Sequence, residues 1–115
     1  MKNFLFITAI FCLFIDSNEK EISHRWCNSL NGISEYRTSY GTYVDCLTSD
    51  YAIEVEYDYN WKEAVGQSLH YAETTKRNPA ILLIKKKSSN KDYYQQLMNT
   101  INAFNLPIYV QIISE

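Results

Sequence analysis

Hydrophobic and polar positions recur with two different periods along the chain, and each period predicts a type of secondary structure. Runs in which apolar and polar residues alternate between turn residues predict strands. Stretches with apolar residues every three or four positions, such as Trp61, Val65, Leu69 and Ala72, predict helices. The predicted elements, in chain order, are a helix at 22–30, strands at 33–38, 42–47 and 51–57, a helix at 61–76, a strand at 80–84, a helix at 90–104 and a strand at 108–113.

The order of these elements predicts an α/β (α+β) fold with one mixed β-sheet. Three consecutive strands form an antiparallel meander, and a helix then crosses over to a further strand. The result is an αβββαβ core followed by a C-terminal helix and strand. The run 80–84 is apolar throughout, which predicts a strand that is covered on both faces and central in the sheet. The helix after it presents Tyr93, Leu97, Ile101 and Phe104 on one side.

Length and composition predict a single domain. The chain has 115 residues, of which 46% are hydrophobic, enough for one modest core. The run of apolar or small residues from Phe4 to Ile15 is too short to span a bilayer and is typical of a secretory signal peptide. We therefore predict a signal peptide at 1–17, one domain at 18–115, and a secreted or periplasmic protein without stable membrane insertion. The alternative for the first segment is a buried N-terminal helix or strand.

The cysteines have two interpretations. Removal of a signal peptide would remove Cys12 and leave Cys27 and Cys46 as a pair in an oxidising compartment. One expectation is then a disulfide between them, and the other is two unpaired buried thiols. His24 and His70 do not stand at a metal-ligand spacing from the cysteines, so the sequence does not support a zinc site.

Three carboxylates are predicted to converge on one face of the second and third strands. If the turn between these strands is centred on 49–50, Cys46 lies opposite Ile53 and Asp45 lies opposite Glu54. The alternation of side chains then gives an acidic face with Asp45, Glu54 and Glu56, and an apolar face with Val44, Cys46, Ile53, Val55 and Tyr57.

Such an acidic face requires an explanation. Like charges that oppose one another across a sheet destabilise it by up to about 1 kcal/mol when they are solvated, and burial increases this cost. A divalent cation bound by oxygen ligands is the simplest way to offset the repulsion. The alternative is a solvated strand face on which the three acids are scattered and bind nothing.

The residues in and after this face carry a family resemblance. Asp45 on one strand, Glu54-Val55-Glu56 on the next, and Gly66-Gln67-Ser68-Leu69-His70-Tyr71 on the following helix resemble the PD-(D/E)XK nuclease superfamily, in particular small bacterial and phage members with a Gln-x-x-x-Tyr motif. The resemblance covers 35–84 and leaves the last helix and strand as an appendage. It implies a restriction-endonuclease-like fold and metal-dependent hydrolysis of DNA or RNA.

The resemblance also implies roles for individual residues. Asp45, Glu54 and the backbone carbonyl of Val55 would hold Mg²⁺ or Mn²⁺, which polarises the scissile phosphate and lowers the pKa of an attacking water. Gln67 and Tyr71, one helical turn apart, would orient the phosphate or the metal-bound water. The alternative for Gln67 and Tyr71 is a polar flank of the helix with no role in the chemistry.

One position departs from the superfamily pattern. Glu56 stands where the pattern has a lysine, which would stabilise negative charge on the phosphate and help to position the water. Lys62, at the start of the following helix, is the nearest replacement cation, and Glu63 is an extra ligand on the same helix. The alternative for Lys62 is a solvated lysine in the first helical turn.

The net charge of the chain does not identify its binding partner. The net charge of −2 excludes a globally basic nucleic-acid binder but not a local basic patch. The run Lys85-Lys86-Lys87 is either such a patch or a solvated loop. Two functions remain: a small Mg²⁺-dependent nuclease that acts on nucleic acid, and a catalytically inactive nuclease-fold protein that acts as a binding or interaction module. The sequence predicts no oligomeric state.

Overall fold

The structure is a computed structural model and describes residues 18–115. The described elements are α1 (Glu19–Ser29), β1 (Ile33–Arg37), β2 (Tyr43–Leu47), β3 (Tyr51–Tyr57), a 3₁₀ turn (Asp58–Asn60), α2 (Trp61–Thr75), β4 (Asn78–Lys85), α3 (Tyr93–Phe104) and β5 (Tyr109–Ser114). Their order confirms the predicted α/β class with its mixed sheet. The predicted signal peptide lies outside the described residues and stays a prediction.

The five strands form one sheet in the order β1-β2-β3-β4-β5. β1, β2 and β3 pair antiparallel, whereas β3, β4 and β5 run parallel because a helix connects each of them to the next. Cys46 lies opposite Ile53, which confirms the predicted turn between β2 and β3. β4 lies between β3 and β5, and its residues 79–84 are all buried, as the apolar run predicts.

Helices cover both faces of the sheet and bury two sets of apolar side chains. α2 and α3 pack on one face, where they cover Ile81 and Leu83 of β4. α1 packs on the other face, where Ile22 and Trp26 cluster with Val55 of β3. Alternate residues of β3 and β4 therefore face α1 and the α2–α3 layer in turn. Among residues 18–115, no helix has both the length and the apolar sequence needed to cross a membrane.

Two helix details differ from the sequence prediction. α1 begins at Glu19 rather than at 22, because the side chain of Asn18 accepts the backbone N–H of Glu21 at 2.8 Å and caps the helix. Phe104 is 74% exposed, so it does not share the buried side of α3. The chain turns toward β5 at Asn105, where φ is 52°, and this leaves Phe104 at the free end of the helix.

The ladder between β2 and β3 is short. Two residue pairs form next to the turn, and the strands then diverge. Val44 clusters with Leu47, Ala52 and Tyr71 under α2, so its predicted place on the face of Ile53 is wrong. The divergence of the two strands opens a gap in the sheet, and the candidate site lies in this gap.

A disulfide joins Cys27 of α1 to Cys46 of β2, with 5.4 Å between the two Cα atoms. Of the two expectations for these cysteines, the structure has the bonded one. The loop that leaves α1 passes the disulfide at Gly32. A Cβ atom at position 32 would lie 2.5 Å from Cys46 Sγ and 2.8 Å from Cys27 Sγ, so the site has no space for a larger residue.

We expect Gly32→Ala to destabilise the protein by about 1–3 kcal/mol, because the added methyl group overpacks the space beside the disulfide. Chemical denaturation of the wild type and the variant measures the difference. Gly66→Ala is the matched control, since its added Cβ meets no atom within 4 Å. In a helix this change stabilises by up to about 1 kcal/mol. Equal stability of Gly32→Ala and wild type would contradict the packing.

Candidate functional site

The gap between β2 and β3 forms a pocket of about 230 Å³ that α1 and α2 also line. Five of its side chains are carboxylic acids, and we call it the acidic pocket. The lining residues are Glu19, Lys20, Ser23, His24, Glu35, Asp45, Glu54, Val55, Glu56, Gln67 and Tyr71.

Asp45 bridges the gap between the diverging strands. Its Oδ2 accepts the backbone N–H of Val55 at 2.8 Å. Its carboxyl group is also hydrogen-bonded to that of Glu54, which is 3% exposed. Two carboxyl groups make such a bond only when one of them carries a proton. Burial, and after it the bond to Asp45, raises the pKa of Glu54 to about 11, which favours the protonated form of Glu54 at neutral pH.

A second carboxyl pair joins α1 to β3. Glu19 is hydrogen-bonded to Glu56, whose Oε1 also accepts the backbone N–H of Tyr57 at 3.0 Å. Burial, and after it the bond to Glu56, raises the pKa of Glu19 to about 8. The raised pKa values of Glu19 and Glu54 favour one proton in each pair at neutral pH. Such protons would relieve the repulsion among the acids, and the predicted divalent cation stays a prediction.

The cationic side chain at the acidic pocket is that of Lys20 on α1. Lys20 Nζ and His24 Nε2 lie 3.3 Å and 3.2 Å from the same carboxylate oxygen of Glu35. The hydrogen bond from His24, and after it the one from Lys20, holds the pKa of Glu35 below its usual value. Lys62, the predicted replacement cation, does not line the pocket, because its ammonium group lies at the exposed start of α2, 5.8 Å from the Trp61 ring centroid.

Gln67 and Tyr71 line the acidic pocket together, as their helical spacing predicts. Gln67 is exposed, whereas Tyr71 is buried under the pocket. Burial, and after it the negative charge of Glu54 and Asp45, raises the pKa of Tyr71 to about 12. The hydroxyl group of Tyr71 therefore remains a hydrogen-bond donor at neutral pH, and the roles assigned to both residues stay predictions.

Sequence reasoning found the β2, β3 and α2 residues of the acidic pocket and missed those of α1 and β1. Glu19 and Ser23 are four residues apart on α1. A predicted helix that began at the Asn18 cap would have placed both of them on the same helix face. Glu35 has φ 53° inside β1, an uncommon conformation for a residue other than glycine. No pattern in the sequence predicts that its carboxylate meets Lys20.

Metal ligation is limited by these hydrogen bonds. Among residues 18–115, no group of three or more His, Cys, Asp and Glu side chains is arranged to hold a metal ion. Asp45 and Glu54 have the oxygen atoms that Mg²⁺ prefers, but the raised pKa of Glu54 favours a proton on this pair, and the Val55 N–H occupies Asp45 Oδ2. A cation would have to displace that proton. Glu63, the extra predicted ligand, does not line the pocket.

A basic surface lies at the C-terminal ends of β3 and β4, beside the acidic pocket. It consists of the segment 85–91, called the lysine loop, with Lys85, Lys86, Lys87 and Lys91. The buried Asp58 accepts the Lys86 N–H at 3.3 Å and the Ser89 hydroxyl at 2.8 Å. Glu115 accepts the Lys87 N–H and the Lys86 ammonium, each at 3.0 Å. Two carboxylates therefore fix the backbone of the lysine loop.

No family model and no solved structure match the chain. Parts of it are similar to two proteins of Acanthamoeba polyphaga mimivirus. The putative KilA-N domain-containing protein L32 is 42% identical over 77 residues, which are 66% of this chain and 20% of that protein. The putative KilA-N domain-containing protein R878 is 39% identical over 57 residues, which are 50% of this chain and 16% of that protein. The chain thus spans a fifth or less of these relatives.

These relatives contradict the resemblance to the PD-(D/E)XK superfamily. Both are named for a KilA-N domain and neither for a nuclease. The assignment of the chain to that superfamily, and its description as a nuclease or hydrolase on this basis, is therefore wrong. The resemblance rested on short motifs with few fixed residues, and such motifs also arise in unrelated sequences. The relatives favour the alternative function, a binding module.

We expect the protein to become more stable as the pH falls from about 8 to about 5.5. Glu19 and Glu54 keep their protons in the folded state at pH values where the carboxyl groups of the unfolded chain, with pKa 4.5, have lost them. The folded state then binds more protons, so the free energy of unfolding falls as the pH rises, by up to about 1.4 kcal/mol per pH unit for the buried Glu54. Thermal unfolding at several pH values measures this trend.

The variant Glu54→Gln tests whether Glu54 is the group responsible for this pH dependence of stability. Its amide keeps a donor toward Asp45 but does not titrate, so the variant should show a flatter pH dependence and exceed the wild type in stability at about pH 8. Glu73→Gln removes an exposed carboxylate that is paired with Lys76, and it should leave the slope unchanged. A wild-type slope of opposite sign, or an unaltered slope in Glu54→Gln, would contradict the shared proton.

Proposed function

We propose that the chain is a binding module for nucleic acid and that the lysine loop contacts the phosphate backbone. The proposal rests on the structure of the lysine loop. Its backbone is fixed by Asp58 and Glu115, yet within residues 18–115 no ion pair involves Lys85, Lys87 or Lys91. Fixed main chain with unpaired ammonium groups is suited to a polyanion, because phosphates supply the missing counter-charge.

The similar proteins support the same class of partner. The chain is similar to part of two proteins that are named for a KilA-N domain, and on this ground we take nucleic acid as the class of partner. Because the chain spans a fifth or less of those proteins, the proposal concerns this segment alone.

The acidic pocket is compatible with a phosphate contact beside it. Glu19 interacts with Tyr57, and the ammonium group of Lys86 lies 4.7 Å from the Tyr57 ring centroid, so the acids and the lysine loop are close neighbours. If both carboxyl pairs, Asp45 with Glu54 and Glu19 with Glu56, were fully ionised, they would repel a phosphate backbone. The protons held by Glu19 and Glu54 lower the negative charge that a bound strand would meet at neutral pH.

We expect the double variant Lys85→Ala/Lys87→Ala to bind DNA and RNA more weakly than the wild type, with little dependence on sequence. The plot of log affinity against log salt concentration should lose about 0.7 to 0.9 in slope for each lysine removed, because fewer counterions are released. Fluorescence anisotropy at several salt concentrations measures both effects.

The control is Lys76→Glu, which changes the net charge by the same two units at the exposed C-terminal cap of α2, near the end of β4 opposite the lysine loop. It should keep nearly the wild-type salt slope. If Lys76→Glu and the double variant weaken binding equally, overall charge explains the affinity and the lysine loop is not the contact. Absence of wild-type binding at low salt would contradict the proposed function.

Divalent-cation binding by the acidic pocket is a second candidate function. We propose that Mg²⁺ or Mn²⁺ binds to Asp45 and Glu54 when it displaces the proton between them. The observation in favour is the direct contact of two carboxyl groups, which are ligands of the right chemistry, beside the backbone of Val55.

Because cation and proton compete for the same oxygen atoms, we expect Mg²⁺ or Mn²⁺ to raise the melting temperature at about pH 8 and much less at about pH 5.5. At one hundred times Kd the stabilisation is about 2.7 kcal/mol. Asp45→Asn should abolish the shift, and Glu73→Gln should retain it. Differential scanning fluorimetry with and without a chelator measures this, and a wild type that responds to neither cation at either pH would contradict the second function.

A further inference from the structure

An aromatic stack stands beside the lysine loop. The rings of Tyr57 and Tyr59 are 5.8 Å apart between centroids and lie 18° from parallel, a stacked arrangement. Lys86 Nζ lies 4.7 Å from the Tyr57 centroid. Tyr59 is 49% exposed, and within residues 18–115 no ring other than Tyr57 stacks on it. The stack therefore ends in an aromatic ring that is open to solvent.

The stack and the lysine loop are held in a fixed relation. Tyr59 lies in the middle of the 3₁₀ turn, directly after Asp58, which is 1% exposed. The carboxylate of Asp58 binds the Lys86 N–H and the Ser89 hydroxyl, so one buried side chain fastens the turn to the loop. A ligand that contacts both surfaces therefore loses little free energy in bringing them together.

We propose that the outer face of Tyr59 stacks on an unpaired base, so that this surface binds single-stranded nucleic acid in preference to a duplex. The proposal rests on the proposed function, since the same strand would place its phosphates against the lysine loop. An open aromatic ring next to ammonium groups fits a chain that alternates flat bases with phosphates. In a duplex the base faces are already stacked on one another, so a duplex offers phosphates to the lysines but no base to Tyr59.

The surface allows two modes of binding, and each mode needs a different part of the nucleic acid. A contact through the lysines alone needs phosphates and treats a strand without bases like a normal strand. A base stacked on Tyr59 requires the base itself. An abasic strand of equal length and charge therefore separates the two contributions.

The experiment measures the affinity of the complete chain for a mixed-sequence single strand, for an abasic strand of the same length, and for a duplex. The wild type should bind the normal strand about five- to 150-fold more tightly than the abasic strand, the range expected for one stacked base. Tyr59→Leu should abolish this difference and leave the affinity for the abasic strand unchanged. Tyr59→Phe keeps the ring and should preserve the preference.

Tyr40→Leu is the control, because Tyr40 is an exposed tyrosine whose ring lies near His70, 5.6 Å between centroids, and away from the lysine loop. It should retain the preference for bases. Equal, salt-dependent binding of the normal and abasic strands by the wild type would overturn the stacking proposal and leave the lysine contact standing. A uniform loss of affinity for all three probes in Tyr59→Leu would also overturn it, and failure of the wild type to bind any probe would overturn both proposals.

Discussion

The contact between the carboxyl groups of Asp45 and the buried Glu54 is the interaction on which the site depends. If both groups were ionised, two carboxylates would face each other, one of them 3% exposed, at a cost of several kcal/mol. If Glu54 is protonated, as its raised pKa favours, Asp45 can accept both the Glu54 proton and the Val55 N–H, and so it connects β2 to β3 where their ladder has ended. The gap in the sheet is therefore a stable feature, closed by side chains instead of backbone hydrogen bonds.

α1 completes the site because two contacts hold it against the gap. The disulfide from Cys27 to Cys46 fixes its C-terminal half to β2, one residue from Asp45. Glu19, near its N-terminal end, lies beside Glu56 and Tyr57 of β3. Tyr57 in turn lies under Lys86 and against Tyr59, so the acidic pocket, the aromatic stack and the lysine loop form one continuous surface.

The sequence predicts the architecture well because the fold follows from local periodicity. The apolar run of β4, the helical stripe of α2 and the turn at 49–50 each specify an element from neighbouring residues. Alternation along β2 and β3 also predicts that Asp45 and Glu54 lie together, as they do. These features depend on residues close in sequence, where physical rules about side-chain direction apply directly.

The remaining parts of the site depend on tertiary contacts that no local rule contains. Glu19 and Lys20 reach the acidic pocket because α1 crosses the sheet, and Glu35 reaches Lys20 through a left-handed backbone conformation. Lys62 was expected there because it is near in sequence, but it lies at the exposed start of α2. The repulsion among the acids suggests a metal ion, and the raised pKa values of Glu19 and Glu54 show that protonation is a second way to relieve it.

The shared proton is tested most directly by a carboxyl-carbon NMR titration of the folded protein from about pH 5 to about pH 9. We predict that the Asp45–Glu54 pair retains one proton throughout that range, so that the Glu54 carboxyl carbon has the chemical shift of a protonated acid at neutral pH. In Asp45→Asn the titration of Glu54 should move to lower pH, because the charge of Asp45 no longer opposes its ionisation. A Glu54 resonance that titrates near the ordinary value of 4.5 in the wild type would contradict the central claim.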